Sequence, residues 1–200
     1  MGEFRFAFEF GSPVREEFLK SKAAVFERNE GPARFVYMHD NLPGHSQNSG
    51  KCLPDENERF EKRLNDANEE MRRNVDLIIR NYPEALIIVA GDHGPYLTKN
   101  CTKIKDEYDM AEISRLDVQD RHATFLAIKW PGGVLAGNDD IVVLQDLFPA
   151  IFSFLFEDKE FLSARIFPLT GSAAAIIRGV EVREGIIRGG MNDGEPLFVH

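Results

Sequence analysis

Residues 85–96 read Ala-Leu-Ile-Ile-Val-Ala-Gly-Asp-His-Gly-Pro-Tyr, and this stretch constrains the fold more than any other. Six small or branched apolar residues follow Tyr82-Pro83, which closes whatever helix precedes them, and they stop abruptly at a glycine. A run this short, rich in β-branched side chains and bounded by turn residues, reads as a strand buried on both faces, the pattern of a parallel sheet. Such a strand places Asp92 and His93 at its carboxyl end. In open α/β sheets, ligands bind at that end.

The rest of the chain supplies partners for such a strand. Ser12-Pro13 can open a helix running to about residue 28. Residues 58–81 carry Phe60, Leu64, Met71, Val75, Ile78 and Ile79 at helical spacing. Phe35-Val36-Tyr37-Met38 and Ala123–Trp130 read as further strands, the first ending in His39-Asp40 and the second preceded by Arg121-His122. Residues 139–156 read as a helix that Pro149 bends or splits, and residues 109–116 as a helical turn within a long polar loop. Strand, loop and helix thus alternate, which predicts an α/β fold: a mostly parallel sheet sandwiched by helices. Three regions follow: a lead over 1–12, an α/β domain over 13–172, and short strands and turns over 173–200. The lead alternates Phe4, Phe6, Phe8 and Phe10 with other residues, a strand pattern, but its Gly-Ser ending is typical of a tag or fusion remnant.

Composition narrows the chemistry. A net charge of −9 argues against a nucleic-acid backbone as the main partner, because phosphate binding on that scale needs a basic face. It leaves room for an anionic substrate held through a metal. Two cysteines, Cys52 and Cys101, are too few for a disulfide scaffold and lack metal-knuckle spacing. No G-x-S-x-G elbow occurs, and five histidines with His39-Asp40 at a strand end do not suit an all-helical His-Asp phosphohydrolase. A carboxylate beside an imidazole suits zinc, manganese or a similar divalent ion. Because neighbouring residues of an extended chain point to opposite faces, Asp92 and His93 converge on one ion only if the backbone turns, a freedom Gly91 and Gly94 are expected to provide. The plainer alternative is a turn in which Asp92 caps a following segment and His93 is solvated.

These segments, in this order, resemble the alkaline phosphatase and sulfatase superfamily. Leu86–Tyr96 is similar to its metal-binding Asp-His strand and loop, and residues 35–50, with Pro43 and His45, to a segment ahead of it in sulfatase-like and phosphoglycerol-transferase-like members. Residues 120–133 and 140–156 resemble the later strand and helix. Coverage runs from about Phe35 to Phe156.

The resemblance implies a divalent-metal-dependent hydrolase or transferase of phosphate or sulfate esters, on cell-envelope glycans or lipids. Asp92 and His93 would be metal ligands (Zn, Mn, Ca or Mg), His45 the catalytic histidine, and His39 and Arg121 substrate-binding residues. It also implies an acid and a Ser, Thr or formylglycine nucleophile near the start of the domain. No such order precedes Phe35, so the chain is expected to be a C-terminal portion, inactive alone. The alternative is a non-catalytic sulfatase-like module that binds an anionic ligand or partner. Membrane association would come only through upstream segments, an extracytoplasmic or membrane-associated setting is favoured, and an incomplete sheet edge could pair with a second copy. In the same frame Cys52 and Cys101 either form a disulfide, worth about 4 kcal/mol, or stay as two thiols.

Overall fold

The computed structural model describes residues 13–27, 31, 34–40, 42–44, 54–98, 109–133, 141, 143–164, 169–170 and 180–199. His45, Cys52, Cys101 and the 1–12 lead lie outside the described residues.

Two helices form the first packed unit. Helix α1 spans Pro13–Glu27 and packs on α2, Glu56–Asn81. Phe18 and Phe26 on α1 and Phe60 on α2 are buried, each worth about 2 kcal/mol relative to exposure. The rest of the apolar stripe of α2 is less covered: Val75 and Ile78 are half-buried, while Leu64, Met71 and Ile79 are exposed. Between the helices the Lys22 ammonium is buried and pairs with Asp40, 3.2 Å away, and with Glu70. A lysine is taken from water at a cost, and two carboxylates offset it.

Asp40 belongs to an extended segment that runs antiparallel along α2. Arg34 donates to the Tyr82 hydroxyl at one end (2.6 Å), and Arg63 Nε donates to the Pro43 carbonyl at the other (2.9 Å). Phe35–Met38, expected as a strand, is extended here but belongs to no sheet among the described residues. Phe35 and Tyr37 are 79% and 70% exposed. The apolar run forms no strand because its backbone has no ladder partner among the described residues.

The second unit is a ribbon of β1 (Ile87–Ala90) and β2 (Leu126–Lys129). Their pairing is antiparallel, with Ile87 opposite Lys129 and Ala90 opposite Leu126, where a mostly parallel sheet is expected. The reason is where the connection ends. Helix α3, Arg115–His122, finishes beside the carboxyl end of β1, so the chain enters β2 there and has to run backwards. One face of the ribbon packs on helix α4, Leu147–Leu155, through Trp130, Leu147 and Ile151, with Leu86, Ile88, Leu126, Ile128 and Phe154 around them. A 3-10 turn at Leu144–Asp146 leads into α4. Pro149 therefore falls in the first helical turn, where its missing N–H breaks no intrahelical bond, and neither bends nor splits the helix.

The third unit joins α3 to the tail. Strands β3 (Leu169–Thr170), β4 (Glu181–Arg183) and β5 (Ile186–Arg188) form an antiparallel sheet. The β4–β5 turn places Glu184 and Gly185 at φ 51° and 76°, the paired left-handed positions of a tight hairpin. Val180, Val182, Ile187 and Leu197 share one core with Ile113 and Val118. The tail thus buries the outer side of α3, and Gln119 Nε2 donates to the Leu197 carbonyl (2.7 Å). What matters for the site is that α3 is held from behind.

Candidate functional site

The loop after β1 is shaped by lack of room. Gly91 extends the ladder by donating to the Phe125 carbonyl (2.9 Å), and a Cβ on it would lie 2.4 Å from Thr124 Oγ1. Gly94 donates to the Arg121 carbonyl (3.0 Å), and a Cβ there would lie 1.9 Å from the Asp120 carbonyl oxygen. Neither glycine has a positive φ. Their role is close approach of the loop to α3 and its exit, which corrects the expectation that they serve by backbone freedom. The left-handed residue is instead Tyr96, at φ 62°. A tyrosine is uncommon there, and surrounding contacts have to hold it.

Those contacts come from the last turn of α3. Tyr96 N–H points at the Asp120 carbonyl (3.4 Å), while the Asp120 carboxylate accepts from Thr98 N–H (3.0 Å) and Thr98 Oγ1 (3.1 Å). The Arg121 guanidinium carbon lies 3.8 Å from the centre of the Tyr96 ring. Burial pushes the Arg121 guanidinium below its ordinary range, and the neighbouring Tyr96 and Asp120 act in the opposite direction. It remains a cation, and only 7% of the residue is exposed. Arg121, expected to bind substrate, is thus turned inward against Tyr96.

Helix α3 occupies a stretch expected to be a polar loop with a helical turn. Its start is a capping box in which Ser114 Oγ accepts from Asp117 N–H (3.3 Å) and the Asp117 carboxylate accepts from Ser114 N–H (2.8 Å). Ser114-x-x-Asp117 was the signal that could have found it. Arg121 and His122 therefore end this helix, shortly ahead of β2. Burial, with the Arg121 charge adding to it, lowers the His122 pKa below its ordinary value.

On this platform the chain bends at Asp92-His93 and brings the two side chains together. His93 Nδ1 lies 2.9 Å from the Gly94 carbonyl oxygen, which can only accept, so Nδ1 is the donor in this contact, and in the neutral imidazole Nε2 is then the acceptor nitrogen. Nε2 faces Asp92 Oδ2 at 3.7 Å, while Asp92 Oδ1 accepts from His93 N–H (3.0 Å). The imidazole stacks on Tyr96, ring centres 4.9 Å apart and planes within 8° of parallel. Both side chains reach solvent, Asp92 with 74% and His93 with 40% of its side chain exposed.

A carboxylate oxygen and an imidazole nitrogen 3.7 Å apart lie within the span of two ligands on one divalent cation, each about 2.1 Å from it. The donor set therefore fits two positions of such a site. No group of three or more His, Cys, Asp or Glu residues suited to a metal occurs among the described residues. His39 is not brought to this tip. It stands exposed on the segment along α2, and its neighbour Asp40 is bound to Lys22. His45 lies outside the described residues.

No family model matches the chain, and neither the curated proteins nor the solved structures contain a match to it.

Proposed function

We propose that the loop at the end of β1 is part of a divalent-metal site serving hydrolysis or transfer of a phosphate or sulfate ester, within a larger α/β arrangement of the alkaline phosphatase and sulfatase kind. The observation that carries this reading is the convergence of Asp92 Oδ2 and His93 Nε2, with the opposite ring nitrogen, Nδ1, 2.9 Å from the Gly94 carbonyl. When bound, a divalent cation would supply charge neutralisation for an anionic tetrahedral ester and acidity for an oxygen nucleophile. Asp92 and His93 would hold it, and the Gly94 carbonyl would keep the imidazole in the ligating tautomer. His45 is proposed as the acid-base histidine. Additional donors and the nucleophile have to come from residues beyond this pair.

Calorimetric titration of zinc and manganese into the full chain tests the assignment. The expected result is measurable binding that Asp92→Ala and His93→Ala each abolish and His39→Ala leaves unchanged. Equal binding by all three variants would sink it. Binding of inorganic phosphate or sulfate without any metal requirement would favour a non-catalytic anion-binding module instead.

A further inference from the structure

The contacts of Tyr96 connect two residues that the metal reading leaves separate. On one side of the chain of contacts stands Arg121, buried in the last turn of α3 with its guanidinium 3.8 Å from the Tyr96 ring centre. On the other is the His93 imidazole, stacked on the same ring within 8° of parallel. A planar cation on an aromatic face is attracted to it, more strongly when water is excluded. An aromatic stack adds to this. Both contacts act against the strain of keeping a tyrosine at φ 62°.

The geometry also says what the ring does for His93. An exposed histidine on a surface loop samples its rotamers freely. Here the hydrogen bond to the Gly94 carbonyl fixes one ring nitrogen, and the stack fixes the plane of the ring. With both fixed, Nε2 is turned to Asp92 Oδ2. Tyr96 is fixed in turn because the Asp120 carbonyl receives its N–H and Arg121 covers its ring. Residues 120 and 121 cannot drift, since the capping box holds the start of α3 and the tail sheet packs against its Val118 face.

We propose that Tyr96 and Arg121 are positioning residues for His93: the guanidinium sets the tyrosine ring, and the ring sets the imidazole so that Nε2 points at Asp92. This gives the buried arginine a role that does not require contact with substrate. It rests on the metal reading only where metal affinity is the measurement.

The test uses the full chain and two substitutions at residue 96. Asparagine tolerates the left-handed backbone, so Tyr96→Asn removes the ring while the chain keeps its course. Tyr96→Phe keeps the ring. In the metal-free protein at fixed pH, nitrogen-detected NMR is expected to show His93 as one tautomer with hydrogen on Nδ1, its ring protons shifted upfield by the tyrosine. Tyr96→Phe should retain both signatures, and Tyr96→Asn should show averaged tautomers and no ring-current shift. In the titration with zinc, affinity should fall about 10-fold in Tyr96→Asn and by less than about 3-fold in Tyr96→Phe, the size of effect usual for groups that orient a ligand. Arg121→Lys, which keeps the charge but loses the planar group, should fall between them. Unchanged His93 signatures in Tyr96→Asn, with a thermal transition like that of the parent, would overturn the proposal. Absence of zinc binding in the parent would defeat the metal reading alone, and the NMR comparison would still decide this one.

Discussion

Two stretches of this chain share a pattern, an apolar run ending in an acid and a histidine, and fold differently. Leu86–Ala90 ends in Asp92-His93, and Phe35–Met38 ends in His39-Asp40. The first is paired with β2, packs through Leu86 and Ile88 on the Trp130 cluster, and delivers its acid and histidine to one point. The second is extended along α2 with Phe35 and Tyr37 open to solvent, and its acid is used internally by Lys22. The difference lies in what surrounds each run. Beyond β1 stands α3, whose last turn grips the loop. Beyond Met38 stands a buried lysine that needs carboxylates. An Asp-His pair at a strand end thus becomes a candidate site only when another element holds the loop that carries it.

Three substitutions sharpen or break this comparison. The largest effect is expected at Lys22→Met, which leaves Asp40 and Glu70 close together and half-buried without their cation. Denaturant unfolding should show a loss of about 3 kcal/mol. Metal binding at Asp92 and His93 should survive in the folded fraction, and its loss would mean that the two regions are coupled. Next is Gly94→Ala, whose Cβ would overlap the Asp120 carbonyl. Stability should fall by about 2 kcal/mol, and zinc affinity should fall with it, because the loop must lift from α3. An unchanged melting curve would show that the loop does not sit against the helix.

The smallest effect concerns pH. His122 has a folded-state pKa below its ordinary 6.5, through burial first and the Arg121 charge second. The unfolded chain therefore binds this proton more readily than the folded one. The neutral imidazole costs nothing above about pH 6.5, and stability falls as pH drops from there toward the folded value. His122→Gln should lose less stability than the parent between pH 7.5 and 5.5, by a few tenths of a unit in the transition midpoint. Identical pH profiles would show that His122 is not shielded.

Some of this arrangement was legible in the residues. The 3.6 periodicity of residues 58–81 and the Tyr82-Pro83 stop correspond to α2, and the apolar run after them to β1. The Asp92-His93 pair stood out because an acid and a histidine directly follow a buried run. Helix α3 was legible in principle through Ser114 and Asp117 but was obscured by mostly polar residues, whose single buried stripe is short. Tyr96 gave no signal. A tyrosine after Pro95 carries nothing to say that its ring meets both His93 and Arg121, residues three and 25 positions away. The same holds for Lys22, one of two lysines on α1 until Asp40 and Glu70 close around it.

The sequence alone determined local matters: where hydrophobic period and turn residues place helices and strands, which donor types stand at the end of β1, and that Gly91 and Gly94 break the run there. Those follow from bonded geometry and nearest neighbours. Tertiary structure decided the direction of β2, the inward turn of Arg121, the purpose of both glycines and the aim of His93 Nε2. Each of these depends on atoms from segments distant in sequence competing for the same space, which no periodicity along the chain encodes.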